Sequence, residues 1–210
     1  MMDHTDPGRS GEALALGSAT LHEAFGRKGH LPAGLRPVSP DTRLAGPAFT
    51  VRCAPGDNLW IHRAVYAASP GDVLVVATGD TAALWGYWGE ILAVAAISVG
   101  LGGLVLQGGS RDHDALTSLD FPVFSLGPCI KGTVKEAASR TGGLDTPVVL
   151  GETTVHPGDL VVGDADGVVA IAAGELETVL TAGRARVDKE AQVLQLLRQG
   201  ASTLDLYDLR

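Results

Sequence analysis

The chain is poor in cysteine, in aromatic residues and in basic charge, and each shortage closes off a class of protein. Two cysteines, Cys53 and Cys129, among 210 residues are too few for a disulfide framework or a cysteine-built zinc centre. Both read as small buried hydrophobes. Aromatics make up 5%, and the net charge is −8 with no run of Lys or Arg. Nucleic acid is therefore not an expected partner, because its backbone must be neutralised by a basic surface. The acidic balance leaves the substrate open, since one local Arg can hold an anion inside an acidic protein. The polar start, Met1 to Ala13, lacks the apolar centre of a signal peptide. The best apolar stretch, Ile91 to Val105, is broken by Gly100, Gly102 and Gly103, so no membrane span is expected. A cytoplasmic protein fits these features.

What is present suits one domain with a real core: 45% of residues are hydrophobic and 19% charged. Residues 1–12 are expected to be disordered. A helix start at Ser18 continues to Arg27, and the proline-rich segment His30 to Arg43 reads as a loop. Gly46 to Cys53 is a strand, residues 59–68 an amphipathic helix, and Asp72 to Ala77 a buried strand. His62 sits beside the inward face of that helix and reads as a core-edge histidine. Trp88 to Val99 reads as a helix and Gly103 to Gln107 as a buried strand. Gly108-Gly109-Ser110 is a tight turn, Arg111 to Leu119 a helix, and Pro122 to Ser125 a strand. This alternation predicts α/β packing. Four short strands follow, over residues 146–150, 153–155, 159–162 and 168–171, as a β-meander or small barrel. Gly163-Asp-Ala-Asp-Gly167 lacks the later ligands of a calcium loop and reads as a hairpin turn. A long helix, Gly174 to Gln199, precedes a tail over 201–210 that could reach a neighbouring subunit.

Two acids and an arginine stand where chemistry is expected. Glu90 lies at one helix start, and Arg111 and Asp112 open the next, directly after a buried strand. Ligands of α/β sheets sit at strand carboxyl ends beside helix N-termini. The backbone N–H groups of Gly89, Glu90, Ile91 and Leu92 offer a seat for a small carboxylate. Arg111 adds a fork for an oxyanion or keto oxygen, and Asp112 a hard ligand for Mg²⁺ or Mn²⁺. Acids in a first helical turn also favour the macrodipole whatever the function, so only the joint placement carries weight.

Glu90, twenty intervening residues, then Arg111-Asp112 resembles the signature of the class II pyruvate aldolases of the RraA-like family. That group includes 4-hydroxy-4-methyl-2-oxoglutarate / 4-carboxy-4-hydroxy-2-oxoadipate aldolase. Pro55-Gly56-Asp57-Asn58-Leu59, Pro70-Gly71-Asp72-Val73-Leu74, Trp88-Gly89-Glu90-Ile91-Leu92 and Phe121-Pro122-Val123-Phe124 also look like it, as do Pro157-Gly158-Asp159-Leu160-Val161 and Gly163 to Val169. The resemblance implies a single swivelling β/β/α-type α/β domain over 13–200 with a long C-terminal helix. It implies a homotrimer or a hexamer of paired trimers. Amides of Gly89 to Leu92 would hold a pyruvyl carboxylate, and Arg111 would meet the keto or enolate oxygen. Asp112 would bind Mg²⁺ (or Mn²⁺) directly, with Glu90 acting on its water shell. A neighbouring subunit would add a carboxylate through water, Glu190 with Asp188 as the alternative.

Such a site would cleave 4-hydroxy-2-oxo acids to pyruvate and decarboxylate oxaloacetate, because one electron sink serves both reactions. Lys131, Lys135 and Lys189 stand in polar contexts, so a Schiff base is not expected. The sequence also departs from the pattern. Gln107-Gly108-Gly109-Ser110 replaces an Asp-Gly-X-Val-like turn, and Ser125-Leu126-Gly127 replaces Ala-Arg-Gly. Trp85, Tyr87 and Trp88 would give an aromatic mouth or a subunit contact. His113 and Asp114 read as solvated helix positions. The competing reading is a binding module like the family's ribonuclease-regulating members; the retained acid and Arg-Asp pair favour catalysis over it.

Overall fold

Strand side chains alternate between two faces, and here both faces of the central strands are covered. The computed structural model describes residues 7–136 and 141–210. Helices α1 (Pro7–Leu16) and α2 (Ser18–Ala24) precede strands β1 (Arg36–Pro37) and β2 (Leu44–Cys53). Next come α3 (Leu59–Val65), β3 (Val73–Ala77), β4 (Gly86–Trp88), α4 (Glu90–Ser98), β5 (Gly103–Gln107), β6 (Gly109–Ser110), α5 (His113–Ser118) and β7 (Val123–Ser125). The remainder holds β8 (Gly142–Leu144), β9 (Val148–Leu150), β10 (Thr153–Val155), β11 (Leu160–Gly163), β12 (Val168–Ile171), α6 (Leu176–Arg198) and α7 (Thr203–Leu206).

The main sheet runs β1-β7-β5-β3-β2-β11-β12, with β8 also paired to β2. Strands β2, β3, β5 and β7 are parallel, while β1, β8, β11 and β12 join antiparallel. Leu74, Val76, Leu104 and Leu106 point to the face covered by Ile61, Val65, Ala93 and Ala96 of α3 and α4. Val73, Val75 and Val105 point the other way, against Phe124, Val148 and Leu150. All five residues of β3 and of β5 are buried, as expected of parallel strands covered on both sides. Each large aliphatic side chain there contributes about 1.5–3 kcal/mol. A third cluster joins α1, α2 and α6 to β11 and β12 through Ala13, Leu21, Val162, Ile171 and Leu180. The result is one mixed α/β domain with a curled sheet and a long C-terminal helix.

Several expectations are corrected. Residues 1–6 of the stretch read as disordered lie outside the described residues, but from Pro7 the chain is helical. Ala13 is fully buried there, and Glu12 pairs with Arg184 of α6. Ser18 does not cap its own helix: its N–H and hydroxyl both donate to Asp164, at 2.7 and 2.6 Å. Asp164 opens the β11–β12 hairpin turn, so that turn anchors α2. The late strands are not a separate meander, because β11 and β12 extend the main sheet while β9 and β10 form a hairpin. The proline-rich loop contributes β1 to the sheet edge. Cys53 is buried, and its thiol is pushed up to about 12 chiefly by desolvation, whereas Cys129 is only half-buried. Among the described residues no helix is long and apolar enough to cross a membrane.

Candidate active site

Two very short strands bring the site together. β4 and β6 pair in parallel, Gly86 with Gly109 and Trp88 with Ser110, and Arg111 N–H donates to the Trp88 carbonyl at 2.9 Å. The start of α4 thereby lies beside Arg111 and Asp112. Glu90 N–H donates to Asp112 Oδ2 at 3.2 Å, and Arg111 Nε lies 3.7 Å from the same oxygen. The helix N-terminus already seats a carboxylate, that of Asp112, as its free N–H groups and dipole favour. Ile91 and Leu92 supply the remaining first-turn N–H groups.

Two local features make this possible. Trp88 belongs to β4 and Glu90 is the first residue of α4, so the helix begins two residues later than the Trp88 start expected from the sequence. Between them Gly89 is extended, and a Cβ there would stand 2.3 Å from Asp112 Oδ2 and 3.0 Å from Arg111 Cγ. Arg111 and Asp112 precede α5 rather than forming its first turn, and Asp112 is left-handed (φ 58°, ψ 40°) at its N-cap. A non-glycine residue in that region stores strain, a recurrent feature of functional sites.

Behind the pair runs a hydrogen-bond chain. The Ser110 hydroxyl lies 2.8 Å from His113 Nε2 and 2.8 Å from the Ser125 hydroxyl. His113 is therefore not a solvated helix position; it is tied to the buried Ser110 one residue before Arg111. Ser125 supplies the far end of that chain.

The site opens into a pocket of about 130 Å³ that Gly89, Ile91, Leu92, Arg111 and Asp112 line with Asn58, His62, Thr133 and Lys135. His62, read as a core-edge histidine, and Lys135, read as standing in a polar context, both line this pocket. The 131–136 segment folds over the site because Val134 N–H donates to the Gly56 carbonyl at 2.8 Å and Gly86 N–H to the Lys131 carbonyl at 2.7 Å. Burial first, then the nearby Lys135 charge, holds His62 below its ordinary pKa and so favours the neutral imidazole. Tyr87 and Trp88 line the pocket, but their side chains are buried in the core, where Trp88 stacks on Phe121 at 5.8 Å, so they form no exposed aromatic mouth. Trp85 alone is partly exposed, under the Lys131 ammonium at 4.4 Å.

Glu190 stands on the outer part of α6, where Arg186 binds it at 2.8 Å and also lies 3.5 Å from Glu23. Asp188 is exposed on the same helix. No described contact joins either acid to Asp112 within one chain. Among the described residues no group of three or more His, Cys, Asp or Glu is placed to hold a metal. Asp112 is the one acid among the described residues of the pocket wall, and Glu90 meets it through its backbone N–H; so sparse a carboxylate set suits an ion that keeps most of its water. That is the habit of Mg²⁺, held by one or two carboxylates plus substrate, so these residues fit it and do not fit a closed zinc cage.

Comparison with known proteins places this geometry in a family. Residues 18–170 match the RraA-like family, described as Aldolase/RraA. A Halalkalibacterium halodurans protein named "Putative 4-hydroxy-4-methyl-2-oxoglutarate aldolase" is 39% identical over 168 residues, covering 78% of this chain and 76% of its own. An uncharacterized Pseudomonas syringae protein of known structure superposes with a TM-score of 0.82 at 26% identity, covering 98% of this chain and 95% of its own. Streptomyces coelicolor RraAS2, described as an unusual member of the RNase ES inhibitor RraA family, does so at 0.77 and 25% identity, over 90% and 96%. The chain belongs to the RraA-like family.

Proposed function

We propose that this protein is a divalent-metal-dependent lyase that cleaves 4-hydroxy-2-oxo acids to pyruvate and decarboxylates oxaloacetate. The observation that carries the reading is the convergence of Arg111 and Asp112 on the N-terminus of α4 at Glu90. The aldolase name of the 39% identical relative supports the same class. In this reading the first-turn N–H groups that Asp112 leaves free, those of Ile91 and Leu92, receive the substrate carboxylate. The Arg111 guanidinium donates to the C2 oxygen, where charge develops as the C3–C4 bond breaks. The exposed Glu90 carboxylate takes the 4-hydroxyl proton through water, which lets the aldehyde or ketone fragment leave, and that proton returns to C3 of the enolate to give pyruvate. Asp112 would hold Mg²⁺ or Mn²⁺ directly and Glu90 through its water shell, and the bound ion would supply further positive charge for the enolate oxygen. Decarboxylation uses the same anion seat and the same Arg111 contact, with carbon dioxide as the leaving fragment.

A neighbouring copy completes the site in a trimer or a pair of trimers. Ile91, on the pocket wall, is 78% exposed and Ile130, beside the 131–136 segment, 94%; such side chains are at home under a partner. Helix α6 runs on after its last buried residue, Gly183, carrying Glu190 outward. The experiment is turnover of oxaloacetate and 4-hydroxy-4-methyl-2-oxoglutarate with Mg²⁺, with EDTA, and in Asp112→Ala. Pyruvate formation that needs both metal and Asp112 supports the reading; undiminished activity in EDTA or in the variant contradicts it. The likeness to RraAS2 favours a second reading as a ribonuclease-binding regulator, for which a pull-down with ribonuclease E and no lyase turnover would speak.

A further inference from the structure

A second crevice, four times larger than the catalytic pocket, lies at the carboxyl ends of β2, β3 and β5. It encloses about 580 Å³ against about 130 Å³ for the pocket at Asp112. Crevices outside the carboxyl ends of parallel strands are where α/β sheets take ligands, and this volume falls in the range of a drug-sized molecule. The mechanism above makes no use of it.

Its lining divides into two parts. The polar part is Arg52 at the end of β2, Thr78 and Thr81 after β3, and Gln107 at the end of β5. Among the described residues Arg52 has no ion pair, and no Asp or Glu lines the crevice, in a chain with 24 acidic residues. Gln107 is 7% exposed, and its Oε1 accepts from Gly79 N–H at 3.3 Å. That bond engages the amide oxygen and leaves the NH₂ as donor, with no partner among the described residues. The apolar part is Pro55 on one side and Pro147, Val148 and the 58% exposed Val149 of the β9 hairpin on the other. A cation and an amide donor beside apolar walls suit an organic anion with an apolar body.

We propose that this crevice is a second binding site, for an organic anion larger than pyruvate, with its charged group at Arg52 and Gln107 and its apolar body against Pro55, Pro147 and Val149. The polar walls run directly into the catalytic elements. Residues 78–81 continue through the loop held by Asp80, which accepts from Leu84 and Trp85 N–H, into β4. Gln107 continues through β6 to Arg111. The site stands on its own lining and does not depend on the lyase reading.

The probe is anilinonaphthalene sulfonate, itself an anion on an aromatic body, titrated against the full chain and followed by fluorescence. Saturable binding of one probe per chain is expected. Arg52→Gln and Val149→Glu should each weaken it about tenfold, one charge-assisted contact's worth. Val149→Lys should tighten it, and Arg111→Ala should leave it unchanged. Arg52 and Val149 are exposed, so these variants keep the fold, and thermal melting checks that. Naphthoate and naphthyl phosphate should displace the probe, the stronger naming the headgroup, while neutral naphthol competes at least about tenfold less well. Equal binding by wild type, Arg52→Gln and Val149→Glu would overturn the proposal. So would loss of the signal in Arg111→Ala, or equal displacement by naphthol.

Discussion

Gly89→Ala is a sharp local perturbation of the site. The backbone of Gly89 is extended, so alanine meets no conformational penalty there. The cost is steric. The new Cβ would stand 2.3 Å from Asp112 Oδ2, where 3.4 Å is ordinary contact, so the carboxylate must retreat by the difference, 1.1 Å. It then leaves the Glu90 N–H, now 3.2 Å away, and moves relative to Arg111. Displacement of a reacting group by roughly 1 Å costs on the order of a hundredfold in rate. Stability changes less, because the Asp112 side chain is 42% exposed and water replaces the lost bond; about 1 kcal/mol, or roughly 2–4 °C in Tm, is expected. Pyruvate release coupled to lactate dehydrogenase gives kcat/KM, and thermal melting gives Tm. A folded Gly89→Ala protein with wild-type kcat/KM would refute the reasoning, since Asp112 would then not need its position.

Two further outcomes follow from buried charge. Asp164 accepts from Ser18 twice and from Asp166 N–H; burial pushes its carboxyl up, but these bonds outweigh it and hold it below its ordinary 3.8. Asp164→Ala should cost about 3 kcal/mol, and in wild type this contribution should be present above pH 3.8 and fade as pH falls below it, which denaturant titrations across pH would show. His62 is the opposite group: with its folded pKa held below 6.5 by burial and then Lys135, the folded state resists protonation. Its contribution is complete above pH 6.5 and is lost as pH falls toward the folded value. An NMR titration of the ring should have its midpoint below 6.5 and move up in Lys135→Ala; a midpoint of 6.5 or higher in wild type would contradict the placement.

Strand β5 could be read from Gly103-Leu-Val-Leu-Gln107 because an apolar run covered on both faces carries its own signal. Val168 to Ile171 was equally plain. The pairing that builds the site was not, since β4 and β6 are three and two residues long, too short for any periodicity. Glu90 and Asp112 were nonetheless named, through the spacing shared with a known family. His62 and Lys135 were missed because they reach the pocket by tertiary bonds, among them Asn58 N–H to the Val134 carbonyl at 3.2 Å. Likewise Tyr87 and Trp88 looked like surface aromatics beside the site, yet the sheet turns both inward. The start of α1 was hidden by its polar composition; its burial of Ala13 against α2 and α6 is a tertiary effect that overrides local preference.

The account rests on Asp112 holding a divalent ion next to a 2-oxo acid, and Mn²⁺ reports on both through its electron paramagnetic resonance. Wild type should bind one Mn²⁺ per chain, and pyruvate should alter the spectrum of the bound ion. Asp112→Asn, which keeps the shape of the side chain and removes its charge, should abolish that binding while Tm stays within a few degrees. Mn²⁺ bound equally by Asp112→Asn, or a bound-ion spectrum indifferent to pyruvate, would contradict the account.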